Sequence, residues 1–139
     1  MIAVDASAIV AILCREDGWM ELAARLDHAP DADGARIAST ITIWEAALGV
    51  ARLHNMSRPQ ALQAVEEFLI EARIEPVAPD SAITRAAVDA AERYGMGAGQ
   101  DYPGILNLGD CFSYATAKVR GARLLYKGDD FPKTDAEPA

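Results

Sequence analysis

Short apolar runs alternate along the chain with longer stretches in which apolar residues recur every three or four positions. The short runs are residues 1–4, 36–38, 73–77 and 122–126. They are typical of buried strands, and the stretches between them are typical of helices with one buried side. This alternation predicts an α/β fold, in which a short parallel sheet carries helices on both faces (α/β/α).

The length predicts one domain with a core of its own. The chain has 139 residues, which suits a single unit over 1–139 better than two. Residues from about 132 to 139 read as a polar tail. No apolar run reaches the roughly 18 residues that span a bilayer, and the first residues lack the basic and apolar regions of a signal peptide. We therefore expect a cytoplasmic protein.

The charge is acidic, with 21 Asp and Glu against 13 Lys and Arg and a formal net charge of −8. This argues against a protein that coats nucleic acid through its cations. It does not exclude an enzyme acting on nucleic acid, because bound metal ions can offset acids in a site and face phosphate. The cations that could contact a phosphate backbone are Arg15, Arg52, Arg120, Lys127 and Lys133.

Acidic residues stand at the ends of the predicted elements. Asp5 directly follows the first strand, and Asp129 and Asp130 follow Gly128 after the last one. The carboxyl ends of parallel strands meet at one edge of a sheet, where ligands bind in α/β proteins. Two further acids lie in the first turns of predicted helices. The candidate site is therefore Asp5, Glu45, Asp110 and Asp129, with Asp130 as the alternative fourth acid.

Carboxylates without neighbouring His or Cys favour hard cations such as Mg²⁺ or Mn²⁺. Two such ions can activate a water molecule and stabilise the leaving oxygen of a phosphodiester, so no protein nucleophile is required. Two hydroxyl residues, Ser7 and Thr42, lie beside Asp5 and Glu45 and can support the site through hydrogen bonds.

Each acid also has a structural explanation. Asp5 can cap the first helix, and the pattern from Thr42 to Glu45 is that of a capping box. The Asp110 carboxylate can interact favourably with the positive end of its helix dipole, and the segment 128–130 can be a plain turn.

The motifs together resemble the PIN-domain ribonucleases of the VapC type, which are toxins of bacterial toxin–antitoxin pairs. The resemblance covers nearly the whole chain. It rests on residues 2–8 (IAVDASA), 39–45 (STITIWE), 106–115 (LNLGDCFSYA) and 125–131 (LYKGDDF), with Thr134 and Asp135 beyond them. The third of these stretches is the most specific.

This resemblance implies an Mg²⁺- or Mn²⁺-dependent endoribonuclease that cleaves cellular RNA, either tRNA or rRNA. It also implies a homodimer and a small VapB-type antitoxin that blocks the site. Asp5, Glu45 and Asp110 match the first three acids of the family. For the fourth, Asp129 is favoured by its place straight after the glycine, and Asp130 stays open.

Three other classes share part of the pattern. A haloacid-dehalogenase-like phosphatase requires a second Asp two residues after the first, where this chain has Ser7. A receiver domain requires adjacent acids near the end of the first strand, and Asp5 stands alone there. A non-cleaving RNA- or ribosome-binding growth inhibitor would leave RNA without new ends.

Overall fold

The computed structural model describes residues 1–27, 34–95 and 104–139. Its elements follow the predicted alternation. The strands are β1 (Ile2–Val4), β2 (Arg36–Ser39), β3 (Ile74–Val77) and β4 (Arg123–Leu125). The helices are α1 (Ala6–Leu13), α2 (Trp19–Asp27), α3 (Thr40–His54), α4 (Arg58–Glu71), α5 (Ser81–Tyr94) and α6 (Leu108–Arg120), and a 3₁₀ turn spans Phe131–Lys133.

The four strands form one parallel sheet in the order β3-β2-β1-β4. The chain leaves β1 toward β2 and β3 and later returns to the other side of β1 as β4. The strand order therefore reverses between β1 and β4. A crevice at the carboxyl ends of strands is expected at such a reversal, and here Asp5 stands at the end of β1.

The sheet is covered on both faces because successive side chains of a strand point to opposite sides. Ile2 and Val4 pack into one core with helices α1 to α4. Ala3, with Ile37 and Leu124 of the neighbouring strands, packs into a second core with α5 and α6. The predicted α/β/α architecture is confirmed.

From the sequence, Ser57 is expected to cap one helix, Asp80 or Ser81 to cap the following one, and Gly121 to end the last helix, and the structure confirms these ends. Ser57 caps α4 in a capping box with Gln60, and Asp80 caps α5. Gly121 ends α6 in the left-handed conformation, with φ 62°, which glycine adopts without a steric penalty. The glycine-rich segment 94–104, which the sequence predicts to be a loop, and the polar segment 30–34, which it predicts to be a turn, lie mostly outside the described residues.

The start of α3 differs from the prediction. Ser39 caps this helix by accepting a hydrogen bond from the backbone N–H of Ile41. Thr42 is therefore inside the helix, and Glu45 lies in its second turn. The prediction of a capping box between Thr42 and Glu45 is wrong, because strand β2 ends at Ser39 and the helix begins immediately after it.

The residues predicted as a polar tail are attached to the domain by hydrogen bonds. The backbone N–H of Leu124 donates to the carbonyl of Glu137, and the N–H of Ala139 donates to the carbonyl of Leu124. Asp135 accepts a hydrogen bond from the hydroxyl of Tyr114 and forms an ion pair with Lys118. This segment thus covers the free side of β4.

Candidate active site

Asp5 joins β1 to α1 and is only 2 % exposed. It caps α1, and its Oδ2 accepts hydrogen bonds from the backbone N–H and the hydroxyl of Ser7, at 2.9 and 2.6 Å. The Ser7 Oγ accepts in turn from the backbone N–H of Lys127, at 3.0 Å. Ser7 therefore fixes the Asp5 carboxylate relative to the segment that follows β4. The other oxygen of Asp5, Oδ1, is buried and has no hydrogen-bond partner.

Glu45 reaches the site from the second turn of α3 and packs directly against Gly109 of α6. A Cβ atom built on Gly109 would lie 1.8 Å from Glu45 Oε2, so only glycine leaves room for this carboxylate. Glu45 Oε2 is also buried without a hydrogen-bond partner. The close approach of α3 and α6 thus brings Glu45 beside the start of α6.

Asp110 is held by a capping box at the start of α6. Its backbone N–H donates to Asn107 Oδ1, and its Oδ2 accepts from the backbone N–H of Asn107, each at 2.9 Å. The Asn107 side chain also acts on Glu45, whose pKa it lowers. Asn107 therefore connects two of the candidate acids.

The charges of these acids act on one another. The pKa of Glu45 is raised to about 7, mainly by burial and also by the nearby charges of Asp5 and Asp110, while the hydrogen bond from Asn107 lowers it. Burial also raises the pKa of Asp110 to about 6, against the lowering effect of its backbone hydrogen bond to Asn107. The charge of Asp5 contributes to this second shift. Asp5, Glu45 and Asp110 therefore form one electrostatic cluster.

A cleft of about 440 Å³ opens over this cluster. Asp5, Glu45 and Asp110 line it, together with two of the cations considered from the sequence, Arg52 and Lys127. The Lys127 ammonium lies 2.8 Å from Glu16 Oε2 in an ion pair.

The other three predicted cations are engaged elsewhere on the surface. Arg15 lies over the Trp19 ring. Arg120 pairs with Asp80, and Lys133 pairs with Asp130.

The two acids after Gly128 are placed differently from the first three. Both are exposed, and neither is among the described residues that line the cleft. The charge of Asp130 contributes to the raised pKa of Asp110, and Asp130 also forms a 3.8 Å ion pair with Lys133.

Thr42 does not take the position expected from the sequence. Its hydroxyl is buried and bonds to the hydroxyl of Ser113 on α6, at 2.8 Å. It therefore joins α3 to α6 in the interior and does not cap the helix of Glu45.

The donor set fits a divalent cation. Two buried carboxylate oxygens lack a partner, and two neighbouring acids have raised pKa values, as expected for carboxylates that share a site. Within residues 1–27, 34–95 and 104–139, no group of three or more His, Cys, Asp or Glu side chains is already drawn together as a metal site. A cation bound between the carboxylates of Asp5, Glu45 and Asp110 would offset the repulsion between their charges.

Comparison with known proteins identifies the family. The PIN-domain family model matches residues 2–137. The chain belongs to the PIN-domain family. A VapC ribonuclease of Rhizobium meliloti (strain 1021) is 41 % identical over 95 % of this chain and 96 % of its own length. Ribonuclease VapC42 of Mycobacterium tuberculosis (strain H37Rv) is 38 % identical over 98 % of this chain and 97 % of its own length. Within the PIN family, the chain therefore belongs to the VapC ribonucleases.

The fold is shared with a solved structure of the same family. The crystal structure of Mycobacterium tuberculosis VapC20, a Sarcin-Ricin loop cleaving toxin, matches with a TM-score of 0.73. The match covers 100 % of this chain and 98 % of that one, at 16 % sequence identity. No described helix of the present chain is long and apolar enough to cross a membrane.

Two residues of the site were not predicted as part of it. Asn107 and Gly109 were interpreted from the sequence only as residues that open a helix. The signal for Asn107 was available, because Asn followed three residues later by an acid is a capping-box pattern. The signal for Gly109 was not, because its role depends on a side chain 64 positions away in another helix.

Proposed function

We propose that this chain is a divalent-metal-dependent endoribonuclease, with Mg²⁺ as the ion and Mn²⁺ able to replace it. The supporting observation is the convergence of Asp5, Glu45 and Asp110 in one cleft, with buried oxygens on Asp5 and Glu45 that have no protein partner. In a chain of the VapC ribonuclease family, these three carboxylates are the ligands that a cation would take.

The residues of the cleft have different proposed roles. Asp5, Glu45 and Asp110 would hold the ion, and Ser7 keeps the Asp5 carboxylate aimed at it. When bound, the ion supplies an activated water and neutralises charge on the phosphodiester. Arg52 and Lys127 line the same cleft and attract the phosphates of the strand, which compensates for the negative charge of the site.

For the fourth acid we propose Asp130. The place after Gly128 favours Asp129, but the charge of Asp130 acts on Asp110. Because its charge reaches Asp110, Asp130 is the better candidate for completing the site. Asp130→Asn should then reduce cleavage more than Asp129→Asn does.

We further propose that the protein acts in the cytoplasm as the toxin of a toxin–antitoxin pair. Structured RNA of the translation machinery, tRNA or rRNA, is the proposed substrate, and a VapB-type antitoxin and a second copy of the chain are the proposed partners. Expression of the chain alone should stop growth. Expression of the Asp110→Asn variant should leave growth unaffected. Harmless expression of soluble, active protein would contradict the proposal.

Cleavage of RNA by the purified protein tests the enzymatic claim. Mg²⁺ or Mn²⁺ should support the appearance of new 5′ ends, and excess EDTA should abolish it. Asp5→Asn and Asp110→Asn should lose nearly all activity. Asp89→Asn is the matched control, because Asp89 is an exposed acid on α5 and should cut at the parent rate. Equal cleavage in EDTA would overturn the proposal.

A further inference from the structure

An exposed tryptophan stands beside the acid cluster. Trp44 immediately precedes Glu45 in α3, and 61 % of it is exposed. Neighbouring helix residues point about 100° apart, so Trp44 lies beside the cleft while Glu45 lies within it. Tryptophan buries a large area when it packs in a core. An exposed tryptophan beside the cleft is therefore a candidate for contact with a bound ligand.

Trp44 forms one wall of a small recess next to the cleft. Leu108, which is 67 % exposed, and Ile41 are also in the lining of this recess, with Glu45 and Asn107. Its volume is about 170 Å³, or roughly five to six water molecules at about 30 Å³ each. This space suits one planar ring held between an aromatic and an aliphatic side chain.

The recess and the catalytic cleft are joined. Glu45 and Asn107 line both of them. A group seated against Trp44 would therefore place whatever is covalently attached to it over the acid cluster. In a nucleic acid, a base in the recess would bring its own phosphodiester to that position.

We propose that Trp44 is a stacking platform for one nucleobase of the RNA substrate, next to the bond that is cleaved. This inference rests on the proposed ribonuclease function and adds a binding site to it. Stacking on an aromatic ring is independent of charge and works with every base. A chain with a net charge of −8 gains little affinity for RNA from phosphate contacts. Stacking on Trp44 would supply affinity that does not depend on charge.

Tryptophan fluorescence tests the contact without cleavage. The chain has two tryptophans, Trp19 and Trp44, so Trp19→Phe leaves Trp44 as the only reporter and Trp44→Phe leaves Trp19. Each full-length variant is titrated in EDTA with a short single-stranded RNA of mixed sequence, and with an abasic oligonucleotide of the same length. RNA should quench the Trp19→Phe variant and leave the Trp44→Phe variant unchanged. The abasic strand should quench neither.

Affinity gives the second measurement. Trp44→Leu should weaken RNA binding by about 5- to 150-fold, the range that corresponds to base–aromatic stacking, and Trp44→Phe should retain most of it. Ile70→Ala is the control, because Ile70 is an exposed apolar residue on α4 (77 % exposed) and should bind like the parent. Loss of cleavage with intact quenching would count against the proposed function alone.

Three results would overturn the stacking platform. One is equal RNA affinity of Trp44→Leu and the parent. Another is equal quenching by RNA and the abasic strand, which would point to phosphate contact only. The third is a change in Trp44 fluorescence with protein concentration and no response to RNA, which would assign this surface to contact between copies of the chain.

Discussion

Two carboxylates of the site each bind a neighbouring backbone or hydroxyl group and also face the cleft. Asp5 uses Oδ2 to cap α1 and keeps Oδ1 buried and unpaired. Asp110 uses Oδ2 in the capping box of α6. The structural and the metal-binding interpretations of these residues were alternatives in the sequence. In the folded protein they are compatible, because a carboxylate has two oxygens and a cap needs only one.

Gly109→Ala should displace the Glu45 carboxylate. The new methyl group would overlap Glu45 Oε2, so the variant should lose RNA cleavage and bind Mn²⁺ more weakly. The double variant Gly109→Ala, Glu45→Ala provides the control. Without the carboxylate, alanine in the helix should stabilise the protein by up to about 1 kcal/mol relative to glycine. Urea unfolding and a cleavage rate for each variant check this, and parent-like cleavage by Gly109→Ala would contradict it.

The raised pKa values of Glu45 and Asp110 predict a pH dependence of stability. Their ordinary values are 4.5 and 3.8, and the folded values are about 7 and 6. Between these limits the folded state binds more protons than the unfolded state, so this contribution to stability is present at low pH and is lost as pH rises toward 7. In EDTA, the melting temperature should fall across this range.

The control for this pH series of melting temperatures is a variant in which the carboxylates of Glu45 and Asp110 are replaced by amides. Glu45→Gln with Asp110→Asn should flatten the decline between about pH 4 and 7. Asp135, with a pKa of about 2, and Asp80 have lowered pKa values, and their opposite effect on stability falls below this range. A parent protein whose melting temperature rises from pH 5 to pH 7 would contradict the account.

At the scale of elements, the sequence predicted the four strands and most of the helix ends, because their signals are local. Ser57, Asp80 and Gly121 act within one turn of their own positions. The start of α3 was not predicted correctly, because residues 39–42 offer several capping hydroxyls in a row. The choice of Ser39 follows from the pairing of β2 with β3, which is not encoded locally.

The contact between α3 and α6 sets the distance between Glu45 and Asp110. Thr42 and Ser113 connect these helices by a buried hydrogen bond of 2.8 Å. Thr42→Val should cost about 1–3 kcal/mol in urea unfolding, because the Ser113 hydroxyl would lose its partner. The double variant Thr42→Val, Ser113→Ala should recover most of this loss. No cost in the single variant would show that the bond does not hold the two helices.

At the scale of the molecule, the site follows from topology. Asp5 and the segment after β4 meet because the strand order reverses between β1 and β4, and the backbone N–H of Asp5 donates to the carbonyl of Leu125 at 2.9 Å. The sequence predicted a site at this edge of the sheet, because acids follow both the first and the last strand. It favoured Asp129 and left Asp130 open, because the positions of both acids depend on the path of the chain after Gly128, whose φ is 108°.

The arrangement of the acids separates this chain from two of the other classes considered from the sequence, the phosphatase and the receiver domain. The position where a haloacid-dehalogenase-like phosphatase carries its second acid holds Ser7, and its hydroxyl is bonded to Asp5. Glu45 and Asp110 approach from two helices, whereas a receiver domain draws its adjacent acids from the end of the first strand. The family match agrees with this arrangement.

The measurement that tests the central claim most directly is the stabilisation of the folded protein by Mn²⁺ in the absence of RNA. A cation that binds only the folded state adds about 2.7 kcal/mol of stability at a hundredfold excess over its dissociation constant. The melting temperature of the parent and of Asp89→Asn should therefore rise with Mn²⁺, whereas Glu45→Gln and Asp110→Asn should show little or no rise. No shift in the parent at millimolar Mn²⁺, or an equal shift in all four proteins, would contradict a metal site built from Asp5, Glu45 and Asp110.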